Sequence, residues 1–464
     1  MMRFDDDEPI VLPPGPKPIV PGRVKLEIRN NEKVPMDDNT QKVLLTFTGE
    51  EKSRSPVDIV AVLDLSGSMR GQRLEELKRA MLFVMAKLSP VDRLSIVTYS
   101  TKAKRLCPLC LVTPSSNTKF EFLINNLYAD GGTNMEDGLR MGLDILNHRK
   151  CSRERVGAIM FMSDGMQNRG NVRNVEVGDV TVHTFGFGDE HDPEDLKGIA
   201  DHSRGGTYSD FRLGNLSLGF AQCLGGLLSV VAQDLTLVFH LPDEQTCNYR
   251  SQVWIPSTTR LGDLCIKECH KVLMEVHLPR GLTDILKVSY TYKFDGEIFE
   301  SDPLIIAVQR TVEVTAEQQQ TLPDVRAEDI RLRIVRIMKQ ATEDADSKNL
   351  DSARDKLIRG IKSPTGFSKE EVGGSSSKQK EDVGALCSQL NGELKYDLRA
   401  QLEELLELME SQYIYERKGR AFAYSLLSSH NAQRPAGRGY NMEKFATPQM
   451  CDFLLEAAGL DVKS

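Results

Sequence analysis

The chain has 464 residues, a formal net charge of −8 and nine cysteines. Its length exceeds what one core organises and points to about three domains, at roughly 100 to 200 residues each. The acidic balance excludes nucleic acid and anionic membrane surfaces as expected partners, since both call for a basic surplus.

Met1 to Glu8 is acidic and runs into prolines, without the basic and apolar regions of a signal peptide. No apolar stretch approaches the ~20 residues of a membrane span. An odd number of cysteines without a spacing pattern argues for reduced thiols, hence a cytoplasmic location with the nucleus as the alternative, and against secretion.

Residues 1–22 form a proline-rich tail, with six prolines from Pro9 to Pro21 in an extended lead-in. In 23–55, Val24–Ile28 and Val43–Thr48 read as two paired strands separated by the turn signal Pro35 to Asn39. They are expected to pair with the β-rich region 234–312.

From 56 to 212 strands and helices alternate. Strand Val57–Leu63 precedes helix Leu74–Leu88, whose apolar residues recur every three or four positions. Strand Leu94–Tyr99, a short edge segment, helices Phe120–Leu127 and Met135–Leu146, and strands Val156–Met162 and Val180–Phe187 follow. Helix Pro193–His202 and terminal strand Thr207–Ser209 close the region. Near-continuous apolar strands flanked by helices predict a doubly wound, mostly parallel sheet covered on both faces.

A helical connector over 213–233 leads into 234–312, where period-two alternation predicts antiparallel strands at Leu235–Leu241, Gln252–Ile255, Lys271–Val276, Leu286–Tyr292 and Leu304–Val308. The fold class is thus an α/β domain inserted in an antiparallel β-sandwich, followed by a helical domain over 323–430. A mobile loop is expected at 363–382. A long helix should then carry Val383, Leu386, Leu390, Leu394, Leu398, Leu402, Leu405, Met409 and Tyr413 on one stripe. Antiparallel packing on the preceding helices is the simpler use of that stripe, with self-association through the helical domain as the alternative. The C-terminal tail, 431–464, contains a flexible stretch at Arg434–Gly439 and a short helix after Pro448.

The chemistry concentrates in three segments expected at the carboxyl ends of parallel strands, where ligands collect in open α/β sheets. These are Asp64-Leu65-Ser66-Gly67-Ser68, Gly131-Gly132-Thr133-Asn134 and Ser163-Asp164-Gly165. Alternate residues can aim Asp64, Ser66 and Ser68 at one point, with Gly67 easing the turn. Ser66, Ser68 and Thr133 would supply hydroxyl ligands to Mg²⁺ or Mn²⁺, and Asp64 and Asp164 would hold coordinated waters and hydroxyl protons. So few anionic ligands leave the ion electrophilic and favour a carboxylate from another protein, which is binding without reaction. Helix capping by the same acids and serines is the plainer alternative.

Asp64-x-Ser66-x-Ser68, Thr133 and Asp164 resemble the metal-ion-dependent adhesion site of von Willebrand factor type A (vWA) domains, a Rossmann-like fold. The segment from Phe185 to Tyr208 is similar to plant proteins that join such a domain to β and helical regions. The resemblance implies an intracellular protein-interaction module that captures an Asp or Glu of a protein partner on the surface around the metal, including Gly67, Asn134 and Gly165. Many of those relatives are RING-type ubiquitin ligases. Because no cysteine precedes Cys107, the expectation is that the RING is missing and that the chain is not an enzyme. The alternatives are a non-catalytic scaffold with a vestigial metal site and a Mg²⁺-dependent phosphoryl hydrolase. Against the hydrolase, Ser66 stands where an Asp-x-Asp phosphatase has its second acid, and no Gly-rich phosphate loop occurs.

Cys107-Pro108-Leu109-Cys110 and Cys265-Ile266-Lys267-Glu268-Cys269-His270 could furnish zinc ligands, but packed thiols are the expectation. His183 is expected to be a packing residue within a strand, and His191 and His202 to lie at the surface.

Overall fold

Val57–Asp64 is buried at every position, as a strand covered on both faces requires, and it is the central strand of the sheet that carries the site. The computed structural model describes residues 22–36, 40–152, 154–240, 258–277, 284–312, 315, 321–362, 392–437 and 445–461. The proline-rich tail up to Pro21, the strand expected at Gln252–Ile255 and the loop expected at 363–382 lie outside the described residues.

The chain opens with β1 (Val24–Arg29), β2 (Lys33–Pro35) and β3 (Thr40–Gly49), then enters the α/β region at β4 (Val57–Asp64) and α1 (Gln72–Lys87). There follow β5 (Arg93–Tyr99), β6 (Ala103–Arg105), β7 (Cys110–Leu111), α2 (Pro114–Asn125) and α3 (Met135–Asn147). The region continues with β8 (Val156–Ser163), β9 (Thr181–Phe187), α4 (Pro193–Asp201), β10 (Tyr208–Phe211) and α5 (Leu216–Leu227). The sheet order is β10-β9-β8-β4-β5-β6, with β7 also on β5. From β10 to β5 all neighbours run parallel, and β6 and β7 pair antiparallel with β5. Leu77, Met81 and Val84 of α1 join Phe220 and Leu224 of α5 in one core. Leu139 and Leu143 of α3 and Leu196 and Ile199 of α4 build the core on the opposite face.

At the amino end of β4, away from the site, Asp58 is buried among Arg93, Arg149 and Arg155, at 2.6 to 2.8 Å. Burial pushes its carboxyl up, but Arg93 and the charges of Arg155 and Arg149 outweigh this and leave it below the usual range. The network fixes the start of β4 against β5 and β8, so that the strand's other end is presented in a defined register.

The remaining strands are β11 (Val230–His240), β12 (Thr258–Cys265), β13 (Cys269–His277), β14 (Asp284–Phe294), β15 (Glu297–Glu300), β16 (Leu304–Ala307) and β17 (Gln309–Thr311). β3 pairs antiparallel with both β1 and β13, so chain on either side of the α/β region meets in one sheet. A second sheet has the order β12-β11-β14-β15, with β16 on β14. The two share a core in which Val43, Leu45 and Phe47 meet Leu235, Leu237 and Val288. Phe47 stands edge-on to Tyr290 at 5.6 Å. β2 and β17 pair parallel.

The helical part comprises α6 (Pro323–Asp346), α7 (Leu350–Lys362), α8 (Gly392–Leu408), α9 (Arg420–Ala432) and α10 (Pro448–Asp461). Ile330, Ile334, Met338, Leu357, Leu402 and Leu405 form its core, which accounts for the apolar stripes by packing within the chain. The long helix expected through Tyr413 is broken after Leu408. A short turn at Gln412–Ile414 and a wider-wound turn at Tyr415–Gly419 precede α9. The stripe ends at Met409, Tyr413 is 66% exposed, and Tyr415 takes the buried place with its hydroxyl on Asp346 Oδ1 at 2.7 Å. Val383, Leu386 and Leu390 lie outside the described residues.

Arg434 overturns the expectation of a flexible stretch, as far as Arg434–Gly437 are described. Its guanidinium binds Glu268 Oε1 at 3.0 Å and the Asp263 carbonyl at 2.6 Å, and Ala436 is buried. A buried acid on the sandwich thus fixes the segment through a charge-assisted bond. Beyond it, α10 seats on α1 and α5: Phe453 stands edge-on to Phe83, and Lys87 pairs with Glu456.

Candidate metal site

Asp64 ends β4 with its side chain enclosed. Its Oδ1 accepts the Ser66 backbone N–H at 2.8 Å, and its Oδ2 accepts the Ser163 hydroxyl at 2.9 Å. Ser66 caps and Ser68 lies within a short 3₁₀ turn at Gly67–Met69, and both hydroxyls face the end of β8. Ser68 Oγ donates to Asp164 Oδ1 at 2.7 Å, Ser66 Oγ to the same oxygen at 3.4 Å, and the two hydroxyls are 2.9 Å apart. A Cβ placed on Gly165 would lie 3.6 Å from Ser68 Oγ and 4.0 Å from Thr133 Oγ1, so Gly165 leaves open the space that these hydroxyls border. Asp64, Ser66, Ser68, Thr133 and Asp164 are thereby brought to one place.

The loops are tied through their backbone N–H groups. Leu65 N–H reaches the Tyr99 carbonyl at 2.8 Å, Gly67 N–H the Gly131 carbonyl at 3.1 Å, and Gly132 N–H the Thr101 hydroxyl at 3.0 Å. The left-handed backbone falls at Gly131, φ 86°, rather than at Gly67. Thr133 N–H is held by Asn168 Oδ1 at 3.0 Å. Asn134 caps α3 by accepting from Asp137 N–H, so part of its capacity is spent on the helix end.

Burial, then the neighbouring charge of Asp164, pushes the Asp64 carboxyl up to about 6, against the lowering effect of its bonds from Ser66 and Ser163. A cation between two such acids would relieve that repulsion. The donor set, two carboxylates and three hydroxyls, is all oxygen and suits a hard divalent ion such as Mg²⁺. Among the described residues no three or more His, Cys, Asp or Glu are grouped to hold a metal, so hydroxyls are needed to complete any such shell.

Arg73, second residue of α1, was not legible as part of this site. Its Nη1 donates to Asp164 Oδ2 at 2.7 Å, and its other arm lies 3.5 Å from Glu190 Oε2. The signal was a cation in the first turn of a helix, where the helix dipole disfavours it unless an anion compensates.

The other candidates do not join the site. Cys107 is buried with its Sγ accepting from the Ile96 N–H, and burial pushes its thiol up to about 12. Cys265, the last residue of β12, is buried against α5, its Sγ donating to the Gly226 carbonyl at 3.3 Å. His183 packs in β9 with Nδ1 2.9 Å from the Thr207 hydroxyl. His191, expected at the surface, is buried instead: Nδ1 meets the Gly188 carbonyl and Nε2 the Tyr208 hydroxyl, each at 2.7 Å, because Gly186 leaves room for its ring. His202 is exposed.

Residues 58–218 match the von Willebrand factor type A domain, and residues 384–458 match the family described as VWA / Hh protein intein-like. The E3 ubiquitin-protein ligase WAV3 of Arabidopsis thaliana is 31% identical over 53% of this chain and 34% of its own length. WAVH1 of the same plant, also named an E3 ubiquitin-protein ligase, is 27% identical over 49% and 32%. The chain therefore spans about a third of these two relatives. The uncharacterized protein sll0103 of Synechocystis is 28% identical over 64% of this chain and 74% of its own. Among solved structures, a von Willebrand factor type A protein from Catenulispora acidiphila has a TM-score of 0.60 at 18% identity, covering 73% of this chain and 85% of that one. The ArnB paralog VWA2 of Sulfolobus acidocaldarius gives 0.53 at 14%, covering 88% and 98%, and the two likenesses establish the fold.

The expectation that the chain is not an enzyme is overturned by the two ligases. It rested on cysteine positions, which bear on one zinc-binding module and not on the class of protein to which the rest of the chain is related. Residues 58–218, the α/β region built on β4, are thus a von Willebrand factor type A domain, a kind of domain that typically mediates protein interactions and often carries a metal.

Proposed function

We propose that this chain binds a protein partner by capturing an Asp or Glu carboxylate at a Mg²⁺ or Mn²⁺ ion held by Asp64, Ser66, Ser68, Thr133 and Asp164. The observation that carries the reading is the convergence of the Ser66 and Ser68 hydroxyls on one oxygen of Asp164, with Asp64 fixed behind them by Ser163. The ion, when bound, supplies an electrophilic position for the partner's carboxylate. Asp64 orients the Ser66 loop through its backbone N–H, and Asp164 gathers the hydroxyls. Gly67, Asn134 and Gly165 border the surface the partner would meet. The described cysteines form no disulfide, which supports a reducing compartment such as the cytoplasm. Among the described residues no helix is long and apolar enough to cross a membrane.

The test is a pull-down with the full chain in Mg²⁺, comparing wild type with Asp64→Ala/Ser66→Ala by mass spectrometry. A partner retained by wild type and lost from the variant and in EDTA supports the reading; identical partner sets contradict it.

The names of the Arabidopsis relatives favour a second reading that extends the first, in which the captured protein is presented for ubiquitin transfer. A ubiquitination assay on the captured partner, with E1, E2 and this chain, is expected to give metal-dependent modification. Modification equal with and without the chain contradicts it.

A further inference from the structure

Beside the metal site lies a groove of roughly 650 Å³ between the β5–β6 edge of the sheet and the end of α2. Leu65, inside the metal loop itself, lies on its floor with Leu123 and Leu127, and Tyr128, 72% exposed, forms a wall. The groove and the site share a frame: Ser100 and Thr101 line the groove, and they also hold Asn134 and Gly132 through the Ser100 carbonyl at 2.8 Å and the Thr101 hydroxyl at 3.0 Å. The other wall carries Lys102 and Lys104, alternate residues at the sheet edge with both side chains exposed. Neither makes an ion pair among the described residues, and no Asp or Glu lines the groove. On a chain with a net charge of −8, this is a local cationic surface over an apolar floor, continuous with the candidate metal loop.

We propose that this groove reads the residues flanking the captured carboxylate. Its occupant is an extended segment of a partner protein, carrying a second acid for Lys102 and Lys104 and an aliphatic or aromatic side chain for the floor at Leu65, Leu123 and Leu127. The proposal rests on the metal-capture reading and adds to it the class of sequence recognised. The lysines supply charge complementarity and register, while the floor supplies the apolar burial that an exposed ion pair cannot replace. Two exposed lysines each contribute modestly, so reversing both should weaken an acidic segment about tenfold at low salt, and less as salt screens the pair.

The experiment is selection of displayed random heptapeptides with a fixed central Asp on the full chain in Mg²⁺, with elution by EDTA. Expected is enrichment of a second acid and an apolar residue within a few positions of the Asp, and a tenfold loss of affinity for those peptides in Lys102→Glu/Lys104→Glu. EDTA-released peptides without flanking preference, or with equal affinity for the double variant, overturn the groove and leave metal capture standing. Flanking preference that persists in EDTA and in Asp64→Ala overturns the metal reading, and with it the proposed coupling. No enrichment over Asp64→Ala overturns both. Selection that succeeds only after removal of residues 1–8 would assign the groove to the chain's own acidic start. A dimer in sedimentation that the double variant disperses would assign it to a second copy. Either result overturns the proposal.

Discussion

The guanidinium of Arg73 donates to Asp164 Oδ2 at 2.7 Å, on the carboxylate oxygen opposite the one that receives Ser68 Oγ at 2.7 Å. One acid therefore serves an internal cation and the hydroxyls of the candidate metal site together. Arg73 partly neutralises Asp164 and adds a positive charge that a divalent ion must approach, so it orders the site while opposing the ion.

Arg73→Met is accordingly expected to strengthen Mn²⁺ binding about tenfold, roughly 1.4 kcal/mol. Calorimetric titration at low ionic strength reads it directly. Unchanged or weaker affinity would mean that the guanidinium acts only by holding Asp164 in place.

Arg434 presents the opposite balance, a mostly enclosed cation, 14% exposed, with its buried acid already in place. Burial pushes the Glu268 carboxyl up, but Arg434 outweighs this and leaves it below the usual range. Arg434→Ala strands a buried carboxylate and is expected to cost about 3 to 5 kcal/mol, read as a lower denaturation midpoint. Arg434→Leu/Glu268→Leu, which removes both charges, should recover much of the loss. A cost below about 1 kcal/mol for Arg434→Ala would show that solvent reaches the pair.

Burial, aided by the charge of Arg434, pushes His183 down to about 3. The folded protein therefore holds it neutral, while the unfolded chain takes up a proton near the ordinary value of about 6.5. Its contribution to stability is complete above that value and is lost progressively as pH falls toward 3, at no more than about 1.4 kcal/mol per pH unit. His183→Gln should flatten this part of the stability–pH curve relative to wild type. Parallel curves for the two proteins would place the acid sensitivity elsewhere.

The parts of the fold legible in the sequence are those set by local pattern. Val57–Leu63 and Val156–Met162 are apolar at nearly every position, which only strands buried on both faces require, and they pair in parallel. That Asp64, Ser66, Ser68 and Asp164 lie close together was legible because β4 and β8 are parallel neighbours whose ends share one edge of the sheet, whereas Thr133, expected at a strand end, comes from the loop between α2 and α3. Arg73 was not legible, since nothing in its own segment names the acid across the sheet that receives it. His191 turned inward because Gly186 is small and the Tyr208 hydroxyl is within reach, neither of which is a feature of the residues around it. Arg434 sits among residues of loop composition and is fixed by Glu268, far away in sequence. The break before Tyr415 reflects its hydroxyl on Asp346, again a partner from another helix.

Metal capture is tested most directly by calorimetric titration of Mg²⁺ and Mn²⁺ into the wild-type chain and into Asp64→Ala, with circular dichroism confirming that the variant is folded. Saturable binding to wild type that disappears in the variant is expected, because Asp64 both anchors the Ser66 loop and supplies half of the site's negative charge. Absence of binding to wild type, or equal binding to both proteins, would contradict metal capture at these residues.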